Sequence, residues 1–158
     1  NIGGFGRFQS IIEAGTILDP VPLGLLSPIP GNQTYFSIYN TFTQLDYYEF
    51  VSDTYVAMHL QHDFGGRIFS RIPLLNKFKL REYVGLRGAY GSISSKNEAL
   101  NASGLAYEAP EDIYWEWSLG VGNIFKVFRI DFNFRGNYID EHPDARKFGV
   151  TGAFQFVF

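Results

Sequence analysis

Alternation of apolar and polar side chains is the feature that most limits how this chain can fold. In residues 147–158 (KFGVTGAFQFVF), one face of the expected strand carries Phe148, Val150, Phe154, Phe156 and Phe158. The other face carries Lys147, Thr151 and Gln155. A strand with this period has one apolar face, here mostly aromatic, and one polar face. A terminal phenylalanine is typical of the closing strand of outer-membrane β-barrels, so we expect lipid outside and water inside.

Similar patterns, some of them weaker, predict eight antiparallel strands in a single domain that spans residues 1–158. The predicted strands cover residues 4–14, 35–50, 54–64, 67–72, 78–91, 113–123, 128–137 and 147–158. Long connections (15–34, 92–112, 139–146) alternate with short ones (51–53, 73–77, 125–126), and a tight Gly65–Gly66 turn is the exception. Short periplasmic turns and long external loops are typical of transmembrane β-barrels.

Composition excludes several other classes of protein. No run approaches the roughly 20 apolar residues of a membrane-spanning helix. A net charge of -3 argues against nucleic-acid binding, and the absence of cysteine excludes disulfides and thiolate metal sites. His59 and His62 have opposite strand parity, which argues against a shared metal ion. We expect no cofactor, no metal and no enzymatic activity.

The polar side chains of the predicted strands are expected to line a water-filled lumen, because a row of charged groups in a dry core would carry a large desolvation cost. The predicted lumen-lining residues are Arg7, His59, Arg81, Arg87, Glu116, Arg129, Asp131, Asn133 and Arg135. A two-residue turn at 125–126 would place Glu116 opposite Arg135 as a cross-strand ion pair. The mixed charge predicts a plugged or salt-bridged lumen rather than a wide selective pore.

The apolar side chains are expected to face lipid, with tryptophans near the membrane interface. The predicted lipid-facing or girdle residues are Trp115, Trp117, Phe128, Phe132, Phe134 and Phe154. Phe156 and Phe158 are the expected signal for the barrel assembly machinery. The expected partners are therefore outer-membrane lipid and lipopolysaccharide, that machinery, and other envelope proteins.

A water-soluble β-sandwich or lipocalin-like barrel would show the same alternation, with its apolar face turned inward. The aromatic C-terminal strand, the two tryptophans and the unequal loop lengths favour a membrane barrel over this alternative.

Five stretches, in order, resemble one family. They are residues 48–53 (YEFVSD), 71–75 (RIPLL), 80–82 (LRE), 123–131 (NIFKVFRID) and the phenylalanine-ending terminus. They resemble the C-terminal barrel of a Bacteroidota outer-membrane family of unknown function, whose members carry a carboxypeptidase-regulatory-like domain ahead of the barrel. The resemblance implies that the chain is the last half of a larger barrel of about sixteen strands. It also implies a distant similarity to surface-antigen barrels, which insert or translocate other proteins.

Three functions remain open at this point. The first is a structural or accessory subunit of an envelope assembly or transport complex. The second is an insertase-like barrel, and the third is a solute pore. Each predicts residence in the bacterial outer membrane.

Overall fold

The computed structural model describes residues 4–38, 40–100, 108–140 and 145–155, and within them the fold is all-β. The strands are β1 (Arg7–Thr16), β2 (Ser27–Pro28), β3 (Val51–Ser52), β4 (Thr54–Asp63), β5 (Arg81–Ser92), β6 (Tyr114–Ile124), β7 (Phe128–Arg135) and β8 (Phe148–Phe154). Six of them form one antiparallel sheet in the order β1, β4, β5, β6, β7, β8, and β2 pairs with β3 separately.

Helical structure is short. One α-helix, α1, covers Ser95–Leu100, and 3-10 turns cover Leu23–Leu25, Phe69–Arg71 and Leu75–Phe78. Among the described residues no helix is both long enough and apolar enough to cross a membrane.

The connections of the six-stranded sheet lie at two ends. Residues 17–53, 93–113 and 136–147 join strands at one end, which we call the loop end. Residues 64–80 and 125–127 join strands at the opposite end, the turn end. At the tight turn Phe125 and Lys126 both have positive φ, as a type I′ hairpin turn requires. The predicted turn at 125–126 is confirmed.

The two faces of the sheet have unequal surroundings. On β7 the side chains of Phe128, Ile130 and Phe132 are exposed, whereas those of Asp131 and Asn133 are buried. Water-soluble sheets bury the apolar side chains and expose the charged ones. The burial pattern of this sheet is therefore inverted.

Residues 17–53, which we call the inner segment, cover the polar face at the loop end. Ile29, Phe42, Leu45 and Phe50 of this segment are almost fully buried. They pack in one cluster with Ala57, Ala89 and Tyr114, which are neighbours across β4, β5 and β6. The hydrophobic core thus lies between the inner segment and the polar face, and the small side chains of the two alanines leave room for it.

Two of the eight predicted strands are wrong. The described residues 35–38 and 40–50 form no strand, since their aromatic side chains lack a period of two, and Phe42 and Phe50 lie in the core instead. At residues 67–72 the chain turns rather than returning as a strand. Gly65 and Gly66 have the positive φ that was expected, but Ser70 N–H then donates to Gly66 O and Ile72 N–H to Phe69 O, which closes helical turns. The short connections predicted at 51–53 and 73–77 are also wrong, because Val51–Ser52 form β3 and residues 73–77 belong to the longer connection 64–80.

The six other predicted strands make up the large sheet, which is open. Among the described residues β1 does not pair with β8, so no closed barrel is formed. Instead, the edge of β8 meets the inner segment, where Gly152 N–H donates to Tyr35 O and Ser37 N–H donates to Gly152 O, both at 2.8 Å.

Candidate functional site on the polar face

Four of the predicted lumen residues form a single row across four strands. His59 lies opposite Arg87, Arg87 opposite Glu116, and Glu116 opposite Arg135. Their side chains share the polar face because each pair is in register across its ladder. The sequence predicted the shared face and the register of Glu116 with Arg135, whereas the registers of His59 with Arg87 and of Arg87 with Glu116 come from the structure.

The Glu116 carboxylate is the centre of the row and is fully buried. Its Oε1 accepts hydrogen bonds from Arg87 Nη1 (2.8 Å), Thr43 N–H (2.9 Å) and the Thr43 hydroxyl (3.0 Å). Its Oε2 accepts from Gln44 N–H (2.9 Å) and the Tyr114 hydroxyl (3.1 Å). Five donors on one carboxylate offset the cost of burying its charge. Two of them are backbone groups of the inner segment, so Glu116 binds that segment to β6.

Arg135 makes a second attachment to the inner segment. Its Nη2 lies 2.5 Å from Glu49 Oε1, and its Nη1 donates to Gln44 O at 3.2 Å. The predicted ion pair between Glu116 and Arg135 is therefore wrong, although the predicted register is right. Because Thr43, Gln44 and Arg87 already occupy the Glu116 carboxylate, Arg135 pairs with an acid from the inner segment.

Arg129 and Asp131 lie on the same face nearer the turn end. Arg129 donates to Asp131 Oδ1 from Nε (2.9 Å) and Nη2 (2.7 Å), and its guanidinium stacks over the Tyr83 ring at 4.0 Å from the centroid. Gly120 makes this geometry possible, since a Cβ there would collide with the Asp131 carboxylate. Asn133 donates to Thr151 Oγ1 at 3.0 Å, which joins β7 to β8.

The remaining predicted lumen residues are less enclosed. Arg81 pairs with Asp63 at 3.3 Å and is one-third exposed. Arg7 is exposed at the sheet edge. His59 is half-buried, with its ring 4.9 Å from that of Phe42. His62 lies on the opposite face beside Phe8 and Phe64, and no group of metal-binding side chains occurs in the described part of the chain.

A cavity of about 680 Å³ lies on the turn-end side of the row. Residues of β1, β4, β5, β7 and β8 line it together with part of the inner segment, and its charged lining groups are Arg87, Arg129 and Asp131. Because the two arginines each have a carboxylate partner, the lining is polar without a strong excess of one charge.

All six residues that were predicted to face lipid lie together on the apolar face. Trp115, Phe128, Phe132 and Phe154 are exposed, while Trp117 and Phe134 are partly covered because their rings stack on each other at 4.3 Å. Phe128 also contacts Phe154, with ring centroids 4.8 Å apart. Phe156 and Phe158 of the predicted assembly signal lie outside the described residues.

The sequence analysis did not identify the contribution of the inner segment. Four arginines of the polar face (Arg81, Arg87, Arg129 and Arg135) each pair with one acid, but the sheet supplies three of those acids. The fourth, Glu49, comes from a stretch that had been assigned to a strand. Counting charges on the predicted polar face would have indicated that an acidic group had to come from elsewhere.

Glu82 was also unexplained at the sequence level, because it interrupts the apolar face of β5. Its side chain is buried and accepts a hydrogen bond from Phe69 N–H. The connection 64–80 covers this position, and the carboxylate satisfies a backbone donor at the start of a 3-10 turn. Glu82 is therefore part of how this connection attaches to the sheet.

One family model matches the chain. It is described as the C-terminal domain of a family of unknown function, DUF5686, and it matches residues 1–96. No curated protein and no solved structure matches.

Proposed function

The chain belongs to the DUF5686 family, and we propose that it forms part of a non-enzymatic integral β-barrel of the bacterial outer membrane. In this proposal it acts as a structural or accessory subunit of an envelope assembly or transport complex. The observation that carries the proposal is the inverted burial of the sheet, with aromatic and aliphatic side chains exposed on one face and charged side chains buried on the other.

Energetics support an apolar environment outside the sheet. Apolar surface left in water costs about 25 cal/mol per Å² relative to burial. The exposed apolar side chains lie on neighbouring strands, which makes them a continuous surface rather than isolated residues. Leu86, Leu119, Ile130, Phe132 and Val150 are all at least one-third exposed and occupy the middle of this surface. A contiguous surface of this kind is typical of an interface with lipid or protein.

Hydrogen-bond geometry supports completion by further strands. Ile17 N–H donates to Asp53 O at 2.7 Å. Because the backbone groups of successive residues point to opposite sides of a strand, the odd-numbered residues of β1 hydrogen-bond to β4. The N–H and C=O groups of Phe8, Ser10, Ile12, Ala14 and Thr16 therefore point away from β4, toward the free edge. Bacterial transmembrane barrels have at least eight strands and no free edge. Six strands thus favour a larger barrel, of which this sheet is one part.

An insertase-like barrel is the second candidate, and the edge of β8 favours it. On β8 the backbone groups of Gly152 are bonded to Tyr35 and Ser37 of the inner segment rather than to another strand of the described sheet. A weak seam between this last strand and the first strand of the whole protein is what opening to a client strand would require.

Membrane residence is tested on the full-length protein in its native envelope. We expect it to sediment with outer membranes, to resist carbonate extraction and to need detergent for release. Intact mass spectrometry of the released protein then reports how much polypeptide accompanies this sheet. Release in a water-soluble, monodisperse form without detergent would contradict the proposal.

A further inference from the structure

The inner segment fills the polar face at the loop end instead of extending away from it. Ile29, Phe42, Leu45 and Val51 of the segment are at most 2% exposed, which is the burial of core residues. Gly149 on β8 shows how close the contact is, because a Cβ there would lie 2.7 Å from the Gln44 side-chain nitrogen. The part of the segment that carries these side chains is therefore packed tightly against the sheet.

Contacts with three other parts of the chain, each of which involves a charged side chain, hold the segment in this position. Glu116 and Arg135 on β6 and β7 bind Thr43, Gln44 and Glu49, as described above. In the connection 136–147, Arg146 Nη2 donates to Asn32 O (3.1 Å) and Leu45 O (3.0 Å).

The third attachment is at the connection 93–113. Asp53 Oδ2 accepts hydrogen bonds from Ser94 N–H (2.6 Å) and Asn97 Nδ2 (2.8 Å). Asn97 Oδ1 in turn accepts from Val21 N–H at 2.8 Å. Both ends of the inner segment are therefore attached to other loop-end connections, and its middle is attached to the sheet.

From this arrangement we infer that the inner segment is a permanent plug, which closes the interior of the protein at the loop end. The 680 Å³ cavity is then bounded at the loop end by Asn40, Thr41 and Arg87, beneath the plug. The interior is polar but does not conduct solutes from one end to the other. The part of this inference that concerns conductance rests on the proposed membrane location, whereas the part that concerns the seating of the plug does not.

Seating of the plug is tested by a disulfide between the inner segment and β8. The Ser37 and Thr151 hydroxyl oxygens are 3.0 Å apart, and the chain has no cysteine of its own. Mild oxidation should link Ser37→Cys to Thr151→Cys in the full-length protein in its native envelope. Ser37→Cys with Val150→Cys is the matched control, because Val150 is adjacent in sequence but points to the apolar face.

Closure is tested by conductance in planar bilayers. The wild-type protein and the oxidised Ser37→Cys/Thr151→Cys variant should both be silent. The Glu116→Gln variant should gain channel openings, because its amide nitrogen cannot accept the hydrogen bonds that one of the two carboxylate oxygens accepts from Thr43 or from Gln44. Failure of the Ser37–Thr151 disulfide, or equal linking in the control pair, would overturn the seating of the plug. Open channels in the fully linked variant would overturn the closure. Disulfide formation can be measured in the membrane fraction or in the soluble fraction. Absence of the protein from the membrane would contradict the proposed function, but the result for the seating of the plug would still hold.

Discussion

Neighbouring residues on β7 meet opposite surroundings, and this contrast between the two faces of the sheet is the main lesson of the structure. Phe132 is 39% exposed, whereas Asp131 and Asn133 on either side are 2% and 0% exposed. On the polar face each buried charge that the structure describes has a partner, and part of the pairing comes from the inner segment. On the apolar face the aromatic rings mainly contact each other. The buried charges of the polar face are thus paired within the chain, while the apolar side chains of the other face remain exposed.

The largest effect is expected on the polar face, from Glu116→Gln. The neutral amide leaves Arg87 without its ion-pair partner and cannot accept five hydrogen bonds, so we expect a loss of about 3–5 kcal/mol in the free energy of unfolding. Denaturant unfolding in detergent micelles measures it. Glu111→Gln is the control, since Glu111 is exposed at the loop end. Equal stability of the two variants would show that the Glu116 cluster does not hold the polar face together.

On the apolar face, Phe132→Arg tests the environment directly. A charge near the middle of a bilayer costs about 2–4 kcal/mol in a transmembrane barrel, whereas the same change on a solvated face has little effect. We expect reduced folding into lipid vesicles and reduced stability there. Leu18→Arg is the matched control, because Leu18 is also exposed and apolar but lies in the inner segment outside the sheet. Matching results for the two arginine variants would argue against lipid at Phe132.

A smaller effect is expected at the loop end, where Asp53 joins the inner segment to α1. Burial by itself would raise the pKa of Asp53, but hydrogen bonds from Ser94 and Asn97 outweigh it and hold the pKa below its ordinary value. Asp53 therefore stabilises the folded state above its unfolded pKa of about 3.9, and this contribution is lost as the pH falls through the lower folded pKa. Stability measured against pH should decline less steeply at the acid end in Asp53→Asn. An unchanged acid limb would contradict this role.

The smallest effect is expected from Gln61→Ala. Gln61 Nε2 donates to Gln9 Oε1 at 3.3 Å in an exposed position between β4 and β1. Loss of an exposed contact of this kind should change stability by no more than about 0.5 kcal/mol. A larger loss of stability would mean that another part of the protein covers β1 and buries the contact between Gln61 and Gln9.

Local periodicity was enough to predict the six strands of the large sheet, because most positions of each strand follow one division between an apolar and a polar face, with Glu82 of β5 as an exception. The pattern also placed Glu116 opposite Arg135 correctly. It could not show which acid Arg135 pairs with, since that depends on a contact with Glu49, 86 residues away in sequence.

The inner segment was the part least accessible to prediction. Its residues 35–50 have strand propensity from their aromatic content but no period of two, and the structure uses Phe42, Leu45 and Phe50 as core residues in irregular backbone. Their burial depends on a surface made by distant strands. A pattern of local alternation carries no information about such a surface.

The most direct test of the inverted sheet is nitroxide accessibility at single-cysteine positions on the apolar face. Labels at Ile130, Phe132 and Val150 of the full-length protein in lipid vesicles should be relaxed strongly by molecular oxygen, which concentrates in the bilayer, and weakly by a water-soluble nickel chelate. A label at Leu18 should show the reverse. Strong relaxation by the nickel chelate at the three sheet positions would contradict an apolar medium around this face. It would favour a water-soluble fold for the sheet.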